Sequence, residues 1–174
     1  MNQKYKVLIV VMVIVIALSG YYGYEQYNFS NMQGYLQTSL EHKTAADNYL
    51  NQASAYENKS DYTNAIIIRQ KGSDEISNAL KNDSDALSHA DGIYKDYINN
   101  DTLLLKTMSK LINFQIYLDH YLNHSLNPGQ ETVTPNELNP QINQLKEDIS
   151  VYQSNENKII AENPDKFKFL NSNS

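Results

Sequence analysis

His120 and His124 stand four residues apart, the spacing that puts two imidazoles on one face of a helix and lets them grip a metal ion. A metal site needs a third ligand, which His42, His89 or a carboxylate would have to bring from another part of the fold. Asp119 does not serve, because on a helix it points about 100° away from His120. No His-Glu-x-x-His motif accompanies the pair. Two surface histidines near a helix end, where the dipole favours cations, are the simpler reading, and no metal or other cofactor is expected.

The carboxylates suggest chemistry only at a glance. Asn82, Asp83, Asp85 and Asp91 have the look of a calcium loop, but Leu87, preceded by Ala86, falls where a ligand is needed and the required glycine is missing. A solvated acidic helix face is expected there. None of the 20 Asp and Glu residues sits in an apolar stretch of sequence that would raise its pKa for general acid work. The serines lack a nucleophile elbow, and the six glycines are too scattered for a phosphate loop. The chain is therefore expected to have no catalytic residues and not to be an enzyme.

Two further sets of residues bear on contacts. Among 14 tyrosines, Tyr49, Tyr56 and Tyr62 form a candidate interaction surface, although most tyrosines fall on apolar stripes and suit boundary packing. Asn28, Asn58, Asn82, Asn100 and Asn123 each open an Asn-x-Ser or Asn-x-Thr sequon, acceptors for glycosylation where the host has the machinery.

The element that must position all of these begins with an apolar run: Val7, Leu8, Ile9, Val10, Val11, Met12, Val13, Ile14, Val15, Ile16, Ala17 and Leu18. Twelve residues make about 18 Å of helix, short of a bilayer core of roughly 30 Å. Extended through Ser19, Gly20, Tyr21, Tyr22, Gly23 and Tyr24 the run reaches about 27 Å, with tyrosines at the depth of an interfacial belt. That is the reading of residues 7–24 as a transmembrane anchor. The competing reading is a secretory signal, with Ala17 and Ser19 placed for cleavage before Gly20. Lys4 and Lys6 flank the run on one side and the next basic residue is Lys43, so both readings put residues 1–6 in the cytoplasm and the bulk of the chain outside. The expected location is the cell membrane, single-pass. With no cysteine, a lipid anchor on a thiol is excluded, and so are disulfides and Cys-based zinc.

Beyond the run, one domain of about 150 residues has room for a core. Of 14 Lys and Arg, only Lys4 and Lys6 precede it, leaving 12 against 20 carboxylates and a charge of −8. With no basic cluster, a nucleic-acid partner is not expected.

Apolar residues recur at three and four residue steps throughout, and no segment alternates with period two. A first helix follows Met32, Tyr35, Leu36, Leu40, Tyr49, Leu50, Ala53 and Tyr56, and can continue straight from the run because no proline interrupts it. Glu57 to Asp61 has turn chemistry, with Ser60 or Asp61 as cap. A second helix is expected over 62–98, with a kink at Gly72, and a third from Thr102, capped by Asp101 after the break at Asn99 and Asn100. Asn127, Pro128 and Gly129 stop it. Thr134, Pro135 and Glu137 then form a capping box for a fourth helix, whose heptad stripe of Leu138, Ile142, Leu145, Ile149, Tyr152 and Ile159 only Glu156 interrupts. The expected fold is all-α: an N-terminal transmembrane helix followed by an antiparallel bundle of about four amphipathic helices over 27–162, and a flexible tail over 163–174.

Residues 46–72, ADNYLNQASAYENKSDYTNAIIIRQKG, resemble one tetratricopeptide repeat. Tyr49 stands at the aromatic position and Ala53 at the small one, followed by Ala55 and Tyr56. Ser60, Asp61 and Tyr62 fill the turn, and Ala65 and Ile66 the start of the second helix. The resemblance implies a tight helical hairpin turning at 57–61 and a role in binding proteins. It covers under a sixth of the chain, and one 34-residue period on, Asp83, Leu87, Asp96 and Asn99 break the pattern, with Ala90 alone fitting. These readings together favour a non-catalytic, membrane-tethered helical domain acting in protein contact, envelope organisation or self-association, its partners a membrane and a protein or a second copy. The alternative is an extracytoplasmic, sensor-like ligand-binding bundle that works through a partner protein.

Overall fold

The three-and-four-residue steps become helix wherever the chain is described. In the computed structural model, residues 3–124 and 134–171 are described, with side chains from residue 12 onward. They form four α-helices, α1 Gln3–Glu57, α2 Tyr62–Leu87, α3 Gly92–Leu122 and α4 Pro135–Glu162, and a 3-10 helix Lys168–Asn171, with no strand among the described residues. Helix α1 is a single 55-residue rod of about 80 Å. Helices α2, α3 and α4 run about 40 to 46 Å, so they can cover only the second half of it.

Two turns behave as their residues dictate. Asp61 caps α2, its Oδ1 accepting from the Asn64 backbone N–H at 3.2 Å, while Ser60 takes the left-handed conformation, φ 56°. At α4 the Glu137 carboxylate accepts from the Thr134 backbone N–H at 2.7 Å and from its hydroxyl at 2.9 Å, the expected capping box with Pro135 inside it. These hydrogen bonds to Thr134, backbone first, hold the Glu137 carboxyl below the usual range.

The boundary between α2 and α3 differs from the expected one. The chain breaks at Ser88 to Asp91, where Asp91 is extended and Gly92 adopts φ +48°, a conformation that costs glycine little. Asn99, Asn100 and Asp101 lie inside α3. The polar groups of the last two find partners on other helices instead of on their own backbone: Asn100 Nδ2 donates to the Tyr152 carbonyl at 2.8 Å, and Asp101 accepts from Lys43. Gly72 does not end a helix, since α2 runs through it; a Cβ there would stand 3.2 Å from Leu50 Cδ2, so its bareness lets α1 and α2 approach closely. The expected stop at Asn127, Pro128 and Gly129 lies outside the described residues.

Consecutive helices pack side by side, and the 3-10 helix returns to α1. The core is split into two apolar clusters. One joins Met32 and Leu36 of α1, Ala86 of α2, Tyr97 and Ile98 of α3 and Phe167, with Ile159 and Ile160 of α4 against it. The other joins Ala46, Ile76, Ala79, Leu105 and Ile112. Numbers rise from the first cluster to the second along α1 and α3 and fall along α2, so neighbouring helices are antiparallel, an all-α bundle as expected. Phe167 is fully buried, its ring 5.1 Å from that of Tyr97. The segment expected to be a loose tail thus supplies a core residue, because two aromatic rings and an apolar cluster repay the ordering of the chain.

The described part of the apolar run, Met12 to Leu18, lies in the half of α1 that no other described residues cover. Its described large apolar residues, Met12 to Ile16 and Leu18, are 51 to 71% exposed, and Tyr21, Tyr22, Tyr24 and Tyr27 are as open. Among the described residues no helix is long and apolar enough to cross a membrane. The first part of the run, Val7 to Val11, lies outside the described side chains.

Candidate functional site

Between the two apolar clusters lies a layer of charge to which every helix contributes. Each member holds a position in phase with its helix's buried stripe: Lys43 four residues after Ser39 and three before Ala46, Asp83 between Ala79 and Ala86, Asp101 between Tyr97 and Leu104. Glu156 falls likewise between Tyr152 and Ile159 on α4. Helical periodicity therefore drives these side chains inward together.

Lys43 Nζ donates to both oxygens of Asp101, at 2.7 and 2.9 Å, and Asp101 is 2% exposed. Ser39 Oγ is 2.7 Å from Asp83 Oδ1 and 3.3 Å from the Ala79 carbonyl. The Glu156 carboxyl faces that of Asp101, a juxtaposition that favours a proton on one of them. Asp83 Oδ2 and Glu156 Oε1 are buried with no partner among the described residues. One ammonium thus faces three carboxyl groups in a site taken out of water.

The electrostatics follow from that count. Burial, reinforced by the charge of Asp101, pushes the Asp83 carboxyl up to about 7, against the opposing pull of Ser39 and Lys43. Burial and then Asp101 raise Glu156 to about 8. Burial works to lower Lys43, but the attraction of Asp101, Glu156 and Asp83 outweighs it and the net shift is upward. The Tyr97 hydroxyl, buried above the layer and facing the same three carboxyl groups, is pushed well up. Burial and mutual repulsion thus favour the protonated form of these two carboxyl groups to higher pH than for ordinary carboxylates.

A second charged group closes the hairpin end of the bundle. Arg69, the chain's one arginine, is 1% exposed and pairs with Glu57 of α1 at 2.7 Å and with fully buried Asp119 of α3. Asp119 Oδ1 and Arg69 Nε have no partner among the described residues. This clamp ties α1, α2 and α3 where the tetratricopeptide-like hairpin turns.

No family model matches the chain, and no curated protein or solved structure does.

The residues singled out by sequence fall elsewhere. His120 lies in the last turn of α3, but the helix ends at Leu122 and His124 takes φ 51°, so the pair does not share a helix face. Among the described residues no three His, Asp or Glu side chains are placed to hold a metal ion. Of the supposed acidic face, Asp83 is fully buried, while Asp85 is half-buried and Asp91 exposed. Tyr49, Tyr56 and Tyr62 are half-buried, with Lys71 Nζ 5.9 Å from the centre of the Tyr49 ring. Asn58 and Asn123 are exposed at turns; Asn28, Asn82 and Asn100 are half-buried, Asn28 beside the His89 ring at 3.1 Å. The expectation that no carboxylate has a raised pKa is overturned, because the apolar surroundings come from neighbouring helices and not from flanking sequence.

Proposed function

We propose that this protein is a membrane-tethered helical domain whose bundle stands outside the membrane and acts in protein contact, envelope organisation or self-association, without catalysis. The observation that carries this reading is the continuity of α1. One helix bears the apolar run at its start and the core residues Met32, Leu36, Ala46 and Ala53 further along, with no break between them. An apolar surface left bare on all sides of a helix calls for a cover, and a bilayer is the cover that matches a cylinder of Val, Ile and Leu. Tyr21, Tyr22, Tyr24 and Tyr27 then lie at the boundary between lipid and water, where amphipathic rings settle. Lys4 and Lys6 set the N-terminal side as cytoplasmic.

The continuous helix also gives the tether a mechanical property, since a rod with no hinge transmits the orientation of the anchor to the bundle. Inside the bundle, buried charge fixes which helix meets which, a role in specificity that suits a scaffold better than a reactive centre. Carbonate extraction of membranes followed by an intact mass tests the reading. The anchor predicts full-length protein in the membrane pellet; a soluble species lacking residues 1–19 contradicts it.

A further inference from the structure

Three carboxyl groups around one ammonium leave the buried layer two positive charges short. We propose that the layer formed by Lys43, Asp83, Asp101 and Glu156 is a proton-binding site that holds two protons when the bundle is closed, and that losing them releases α4 from the other three helices.

The stoichiometry comes from the contacts. Asp101 meets the Lys43 ammonium with both oxygens, so this pair balances itself. Asp83 and Glu156 remain, each with one oxygen that has no partner among the described residues. Both are withdrawn from bulk water: Asp83 is fully buried and Glu156 is 9% exposed. A carboxylate in that setting costs several kcal/mol, so a proton on each is the cheaper state. The groups facing the pair are Ser39 and Lys43 from α1, Tyr97 and Asp101 from α3, and each other from α2 and α4. Lys43 is the one cation among them.

Release falls on α4 because it buries the fewest residues of the three shorter helices. Helices α2 and α3 each bury seven residues, whereas α4 buries Leu138, Ile142 and Glu156. The last of these is a layer member, so what holds α4 independently of the proton count is buried Leu138 and Ile142, half-buried Ile159 and Ile160, the Asn100 hydrogen bond to the Tyr152 carbonyl, and Phe167 beyond its end. On deprotonation both protons pass to solvent water, and two carboxylates stand uncompensated against Asp101. Moving Glu156 out hydrates it and opens Asp83 to water in one step. The groove lined by Leu50, Met108, Ile112 and Ile149, about 160 Å³, then widens into an apolar surface on α1 and α3.

The test is amide hydrogen exchange of the full chain in mild detergent, corrected for intrinsic rate, between pH 6 and pH 8. Each proton lost on opening changes the opening equilibrium by about tenfold per pH unit. Protection of α4 is therefore expected to fall at least about hundredfold over this interval, while α1 and α2 amides around Ala46 and Ile76 keep theirs. The D83N/E156Q double variant imitates the protonated pair and should hold α4 protection flat. It retains the His42 and Glu75 contact at 2.6 Å, so any change arising from that pair persists in it. Wild-type α4 protection that does not change with pH overturns the proposal. So does a double variant that loses protection in parallel with wild type. Recovery of protection at pH 8 by millimolar calcium also overturns it, by showing a metal ion as the counter-charge. If the double variant does not fold, the wild-type profile and the calcium arm still decide.

Discussion

Replacing Lys43 by Met removes the one cation of the buried layer while keeping an unbranched side chain of similar length. The Lys43 side chain is 17% exposed and that of Asp101 2%, so the pair behaves as a buried ion pair. Breaking such a pair from one side costs about 3–5 kcal/mol, because the remaining charge is left uncompensated. The variant has an escape: Asp101 can take up a proton. At pH 5 that costs about 1.5 kcal/mol, one pH unit above an ordinary Asp. At pH 8 the same uptake costs about 5.5 kcal/mol, more than leaving the charge in place, so the full penalty appears. The stranded charge is relieved by a proton more readily at low pH, so the variant's loss of stability grows as pH rises. Urea unfolding of the full chain in detergent, followed by helical circular dichroism at pH 5 and pH 8, measures both values. We expect a loss of about 1.5–2 kcal/mol at the lower pH and about 3–5 kcal/mol at the higher one. A loss that is equal at the two pH values, or larger at pH 5, would refute the argument that these carboxyl groups share one counter-charge.

Other outcomes follow from single contacts. Arg69→Met should cost about 3–5 kcal/mol in urea unfolding by stranding Asp119, and Asp119→Leu added to it should recover most of the loss. Phe167→Ala should cost about 3–4 kcal/mol by the same measurement, for the loss of a ring from the first apolar cluster, whereas a dispensable tail would show no change. Ser60→Gly should stabilise the bundle by about 1 kcal/mol, read as a higher melting temperature, because Ser60 holds a left-handed conformation that glycine adopts freely.

Helix type, number and order were legible because Ile, Leu, Ala and Tyr recur with helical period, and because Thr134, Pro135 and Glu137 spell a capping box in local chemistry. The α2 to α3 boundary was not. Asn99, Asn100 and Asp101 look like a break when each is assumed to bond its own backbone, whereas Asn100 and Asp101 are engaged by Tyr152 and Lys43 on other helices. The buried layer was hidden for the same reason. Its signal was present, since Asp83, Asp101 and Glu156 each stand in phase with apolar stripes, and Glu156 read as an interruption of a heptad is the member that α4 contributes. A charged residue at a core position on one helix is a defect; one on each of four helices is a site, and that coincidence belongs to tertiary structure. The histidine pair misled in the opposite direction, because the spacing was right but α3 ends between them.

The tether is the claim on which the functional reading turns, and the absence of cysteine makes it directly measurable. Asn58 is exposed in the turn between α1 and α2, so N58C introduces a single thiol far along the rod from the apolar run. Intact cells making this variant are treated with a membrane-impermeant maleimide, and the washed membranes are then examined for labelled full-length protein. The account predicts labelling without lysis, on a species that stays in the membrane pellet. Labelling only after lysis, or a labelled species released from the membrane, contradicts it.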